Sequence, residues 1–147
     1  MDVRIRARQI LVHALAMVLF GLVWGLVVPH TPFPRLALGA HIQFMVNGIL
    51  FIAMALVLLS TSHNVGSRSA SIMLLAVMLT WLMGFSEIAN AWWGTHEVLP
   101  LAAQQAGATG AAAWQEAVVT LAHVAAGLVL IVAWALLIKG FLEEPAM

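Results

Sequence analysis

Few residues in this chain of 147 can do chemistry, and they are concentrated. His41, Gln43 and Asn47 fall in one apolar stretch, Ser86, Glu87 and Asn90 in a second, and Gln115, Glu116, Thr120 and His123 in a third. Polar and ionisable groups in such surroundings are costly, and they default to a functional reading. Glu87 is the most expensive of them, because a lone carboxylate among apolar groups protonates or finds a partner. A carboxyl held neutral in this way can supply or collect a proton. His123 suits the same work, or is simply bonded to a carbonyl or to Glu116. Asn47 and Asn90 can orient a polar substrate group, and Asn47 can equally join two helices. His41 sits at the edge of its stretch, as a ligand or as an interfacial histidine. Glu116 suits the positive end of a helix dipole.

The rest of the composition narrows the chemistry. There is no cysteine, which excludes disulfides, thiolate metal sites and Cys nucleophiles, and there is no tyrosine. Lys and Arg number six, as do Asp and Glu, so there is no electrostatic case for nucleic acid. No G-x-S-x-G elbow, phosphate loop or paired E-x-x-H metal motif is present. Histidine, amide and carboxyl chemistry in an apolar pocket remains. Haem is compatible with that inventory, because one axial His suffices and the macrocycle is itself apolar.

The elements that must position these groups are membrane helices. Hydrophobic residues make up 63% of the chain and charged ones 8%, against about 45–50% and about 25% in a soluble domain. Four apolar stretches, at about 10–28, 41–59, 71–93 and 114–138, each approach the roughly 20 residues that cross a bilayer. They do not alternate as barrel strands do, so they are helices. The first is longer than a typical signal-peptide core and is read as a span. The expected fold is an all-α integral membrane bundle of four transmembrane helices, one domain over residues 1–147. Arg4, Arg6, Arg8, Arg68 and Lys139 lie on one side and Arg35 on the other, which puts both termini in the cytoplasm. The three polar groups then share the outer half of the bilayer, as a pocket would. Residues 94–113 form an outer loop, a lid or a plain connector. Gly21 and Gly25 form a small-xxx-small pair that permits close helix approach. His41 and Asn47 are six apart, about 120° around a helix, so His41 can serve a neighbouring subunit while Asn47 serves its own.

The stretch from Pro34 to Leu50, with His41 and then Asn47-Gly48, resembles the second span of the hydroxylaminobenzene mutases. The related styrene oxide isomerases share a similar H-x5-N-G element. The loop around Leu99-Pro100-Leu101 and the Trp114-Gln115-Glu116 start of span four resemble the mutase side. The resemblance implies a small isomerase embedded in the lipid bilayer, a homotrimer with haem b between subunits. It further implies His41 as axial ligand to the haem iron and Asn47 in the pocket of a small aromatic substrate. The isomerases carry a tyrosine in span three, whereas this chain has Glu87 and Asn90 in that region. The expected reaction is therefore redox-neutral conversion of an aryl-hydroxylamine to an aminophenol, with ferric haem as Lewis acid and Glu87, Asn90 and His123 as further site residues. The expected location is a bacterial inner membrane. The alternatives are epoxide-to-aldehyde isomerisation, a b-type cytochrome with His41 and His123 as its two axial ligands, a proton-coupled transporter using Glu87 and His123, and a structural subunit.

Overall fold

The computed structural model describes residues 2–143. Its four long helices are α1 (Val3–Val27), α2 (Pro34–Ser60), α3 (Ser67–Trp93) and α5 (Ala113–Leu142). A short helix, α4 (Pro100–Ala106), lies between α3 and α5, and a single 3-10 turn (Val28–His30) follows α1. All four long helices have the length and hydropathy to cross a membrane. The chain is thus an all-helical, multi-pass membrane protein. The helices overrun the apolar stretches because helix geometry does not stop at the hydrocarbon edge. α1 starts at Val3, where Asp2 accepts the Arg4 N–H at 3.1 Å, and it carries its arginines as a helical extension. α2 begins on Pro34, whose missing N–H costs nothing at a first helical position.

Successive long helices run antiparallel. The described ends of the chain and the 61–66 turn lie at one end of the bundle, and α4 lies at the other. At the first end, Asn64 N–H donates to the Gly140 carbonyl at 2.8 Å. α1 packs chiefly on α2 and α5 chiefly on α3, while α3 also touches α1 and α2. Ile10, Met17, Phe51, Met54, Met73 and Val77 fill the core between them. Phe20, Phe44, Trp81 and Phe85 form an aromatic cluster with centroids 4.9–5.9 Å apart. Exposed Leu, Ile and Val side chains cover the outside, as a lipid solvent requires.

The close approach expected of Gly21 and Gly25 is realised on α2. The Trp24 indole N–H donates to the Ala37 carbonyl at 2.9 Å. A Cβ on Gly21 would lie 3.1 Å from Phe44 and Met45, and one on Gly25 would lie 3.0 Å from His41. The missing side chains therefore make a seat for α2, with His41 resting in it.

Residues 94–113 are more than a connector. Pro100 opens α4, alanines carry it and Gly107 ends it in the left-handed region (φ 70). Arg35 at the start of α2 donates from Nε to Gln105 at 2.8 Å.

Candidate functional site

Three of the long helices meet at Glu87. Its side chain is fully buried on α3, six residues before that helix ends. His123 on α5 brings Nε2 to 3.1 Å from Glu87 Oε1. Gln43 on α2 places its amide nitrogen 3.0 Å from the same Nε2. Against the far side, Gly39 on α2 leaves room: a Cβ there would stand 3.2 Å from Glu87 Oε2 and 3.8 Å from Leu99. Depth read from the apolar stretches thus becomes contact between α2, α3 and α5.

The imidazole is oriented by its other nitrogen. His123 Nδ1 lies 2.8 Å from the Val119 carbonyl, which can only accept, so Nδ1 carries a proton. Nε2 is therefore the nitrogen that gains or loses one, and it faces both Glu87 and Gln43. Of the partners weighed for His123, a carbonyl and a carboxylate are both present, but the carboxylate is Glu87 and not Glu116.

Around this pair several buried polar atoms of the described residues make no hydrogen bond. They are both Glu87 oxygens, Gln43 Oε1, Asn90 Nδ2 and Thr120 Oγ1. The Glu87–His123 approach is within ion-pair distance but off the line of a good hydrogen bond. Buried polar groups are normally satisfied, so the cluster has unused capacity for a polar ligand atom or water. Asn90 has already committed Oδ1, which accepts the Thr95 N–H at 2.8 Å and the Thr95 hydroxyl at 2.6 Å. Only its amide nitrogen remains. Asn47, one turn along from Gln43, donates from Nδ2 to the Gln43 carbonyl at 2.9 Å, a bond within its own helix.

His41 belongs to the opposite side of α2. Its Nδ1 lies 2.8 Å from the Gly21 carbonyl, so that nitrogen donates and Nε2 keeps its lone pair. The ring is half-buried. The separation of His41 from Asn47 around the helix is thus carried into the fold, with His41 on α1 and the Gln43–Asn47 face turned to α3 and α5. One consequence is a correction. Within one chain His41 and His123 do not face each other, and the paired axial histidines of an electron carrier are not assembled.

Glu116 has a task that its type and position did not reveal. It is 4% exposed and receives the backbone N–H groups of His96 (3.0 Å), Glu97 (3.1 Å) and Ala111 (3.1 Å). His96 Nδ1 adds a fourth donor at 2.9 Å. One carboxylate thereby ties together both feet of the 94–113 excursion. The partners are main-chain groups up to 20 residues away, so side-chain spacing could not have shown them.

The comparisons agree with this architecture. A sequence model of the styrene oxide isomerase family matches residues 6–142. Hydroxylaminobenzene mutase HabB of Ectopseudomonas oleovorans is 31% identical over 141 residues, covering 95% of this chain and 84% of the relative. No solved structure matches. With a match across all four spans and the buried polar cluster lying inside it, the chain belongs to the styrene oxide isomerase family and is an isomerase.

Proposed function

We propose that this isomerase converts an aryl-hydroxylamine into an aminophenol at the Glu87–His123 cluster. The observation that carries the reading is the buried pair itself, with the unpartnered Asn90 and Thr120 groups beside it. The reaction needs one proton delivered and one collected. Protonation of the hydroxyl oxygen lets the N–O bond break with its electron pair leaving on oxygen. A C–O bond then forms at the ring as the water oxygen gives one proton back to the pair, and loss of the proton from that ring carbon is matched by a new N–H bond that completes the NH2. Oxidation state and atom count are unchanged. A proton carried by either member of the Glu87–His123 pair serves both events, because the pair gives it up and takes it back without net change. Gln43 fits either state, since its NH2 donates to a neutral imidazole and its carbonyl accepts from a protonated one. Asn90 Nδ2 and Thr120 Oγ1 are available to hold the polar head of the substrate. Burial limits loss of the cationic intermediate to bulk water.

The residues present also suit haem b. His41 offers Nε2 while Nδ1–H is held by the Gly21 carbonyl, which is the arrangement that fixes a ligating histidine. Bound there as ferric iron, haem would supply Lewis acidity toward the substrate oxygen. A homotrimer would let His41 on one subunit face the pocket of another, with Asn47 orienting substrate in its own. A bacterial inner membrane is the proposed location. Epoxide-to-aldehyde isomerisation is the second reading, favoured by the name of the matching family. The absence of any tyrosine and the resemblance to the mutase favour the first.

The test is purified protein assayed with phenylhydroxylamine and with styrene oxide, for wild type, Glu87→Gln and His41→Ala. Aminophenol formation that falls in Glu87→Gln supports the acid. Turnover unchanged at every pH in that variant removes Glu87 from the mechanism. Full haem retention by His41→Ala removes the ligand assignment, and an absent Soret band in wild type supplied with haem removes haem itself.

A further inference from the structure

The Glu87 carboxyl is sealed, since Glu87 and Asn90 are 0% and 1% exposed, while Gln43, Thr120 and His123 beside it are partly exposed, so a substrate that enters from the α4 end reaches the carboxyl only if something moves. The 94–113 excursion covers this end of the bundle. Its three glycines at Gly94 (φ 67), Gly107 (φ 70) and Gly110 (φ 104) are the positive-φ residues of the described chain. They bracket α4 on both sides, where turns of this kind concentrate conformational change. Between them the segment touches the cluster twice. Thr95 holds Asn90 Oδ1 through both its N–H and its hydroxyl. Leu99 packs on Gly39 at the point where Glu87 Oε2 also lies.

Leu99 has a second side. With Arg35, Val98, Pro100, Leu101 and Ala102 it lines a cleft of about 280 Å³ at the α4 end of the bundle. That is near the lower edge of the roughly 300–1,000 Å³ typical of small-molecule sites, a size for one aromatic ring. Leu99 thus lines the open apolar cleft and also approaches the buried carboxyl across Gly39. The segment is held unequally. Glu116 pins its two feet with buried bonds, whereas the α4 tip is joined to α2 by the exposed Arg35–Gln105 bond.

We propose that this cleft is the admission site for an apolar aromatic substrate, and that Leu99, carried on the α4 segment, is the gate between it and the Glu87 cluster. Arg35–Gln105 is the latch, and Glu116 is the fixed base about which the segment opens. The identity of the substrate rests on the function proposed above, but the gate does not.

The chain has no cysteine, so Arg35→Cys with Gln105→Cys gives one bridgeable pair, which a short bis-methanethiosulfonate closes and a reductant reopens. Reopened thiols are capped with methyl methanethiosulfonate. Two rates are read in bridged and capped protein: phenylhydroxylamine turnover, and labelling of Glu87 by dicyclohexylcarbodiimide, located by peptide mass spectrometry with Glu87→Gln as blank. Bridging should slow both by about tenfold or more, and reopening should restore them. Leu99→Ala should speed the labelling several-fold without any bridge. Glu87 labelling that is equally fast in bridged and capped protein overturns the gate. Labelling that responds to the bridge in a protein that never forms aminophenol keeps the gate and overturns the proposed substrate.

Discussion

Replacing Glu116 by alanine should release the 94–113 segment and leave the bundle intact. Three backbone N–H groups and the His96 ring converge on this carboxylate at 2.9–3.1 Å. A hydrogen bond to a charged group contributes about 1.5–3 kcal/mol, and three would sum to roughly 5–9 kcal/mol. The true loss is smaller, because His96 and Glu97 are exposed and their freed amides rehydrate. About 3 kcal/mol of local opening energy is a reasonable share, and at 1.4 kcal/mol per decade that is about a hundredfold. Amide hydrogen exchange read by mass spectrometry over residues 94–112 should therefore accelerate about a hundredfold in Glu116→Ala. Peptides from α1 and the core of α3 should stay as in wild type, since local opening is independent of global unfolding. Glu116→Gln keeps one acceptor oxygen but turns an NH2 toward the donors, and should fall between. Exchange of the segment within threefold of wild type in the alanine variant would refute the assignment of Glu116 as its anchor.

Other outcomes follow from the same contacts. Gly25→Ala puts a methyl 3.0 Å from His41 Nδ1 and strains its bond to Gly21, so haem retention should drop about 10–100-fold; an unchanged Soret absorbance per protein counts against His41 as ligand. Gly48→Val places a Cβ 2.7 Å from Val18 and 3.0 Å from the Ala14 carbonyl. The α1–α2 contact should weaken by about 1–3 kcal/mol, visible as an earlier midpoint in dodecyl sulfate titration, and an unmoved midpoint contradicts the tight crossing. Thr95→Val removes the 2.6 Å hydroxyl bond to Asn90 and keeps the backbone one. It should cost about 1 kcal/mol locally, read as faster amide exchange at residues 94–96, and no acceleration would show that the hydroxyl is not a restraint.

Much of this was legible in residue types. Four spans follow from runs of apolar residues too long to be anything else, and the polar groups on three of them shared a depth that became the Glu87–His123–Gln43 contact. Helical spacing also separated His41 from Asn47. Other features were hidden for identifiable reasons. Pro100, the alanines after it and Gly107 are a short-helix signature, but their low polarity read as loop at a membrane surface. Glu116 read as an acid in a first helical turn, because backbone donors leave no mark in a sequence. The seat that Gly21 and Gly25 make for His41 needed the partner face of α2 to be known. Asn90 looked wholly available, whereas one of its two polar atoms closes the turn after α3.

The glycine seat bears on how copies of this chain can meet. Small residues on membrane helices are the usual means by which backbones approach closely enough to associate, because lipid tails solvate Leu and Val as well as another protein does. Here Gly21 and Gly25 face α2 and His41 within the same chain, so that pair is already occupied, whereas Gly127 on α5 has open space before it. The faces left outside carry branched aliphatics such as Leu19, Leu22, Leu128 and Ile131, for which a neighbouring subunit and a lipid are nearly equivalent solvents. The proposed homotrimer with haem between its subunits would draw its cohesion from that shared group more than from these faces. Its subunit equilibrium in detergent should accordingly track the occupancy of that shared group more closely than the area of the helix faces in contact.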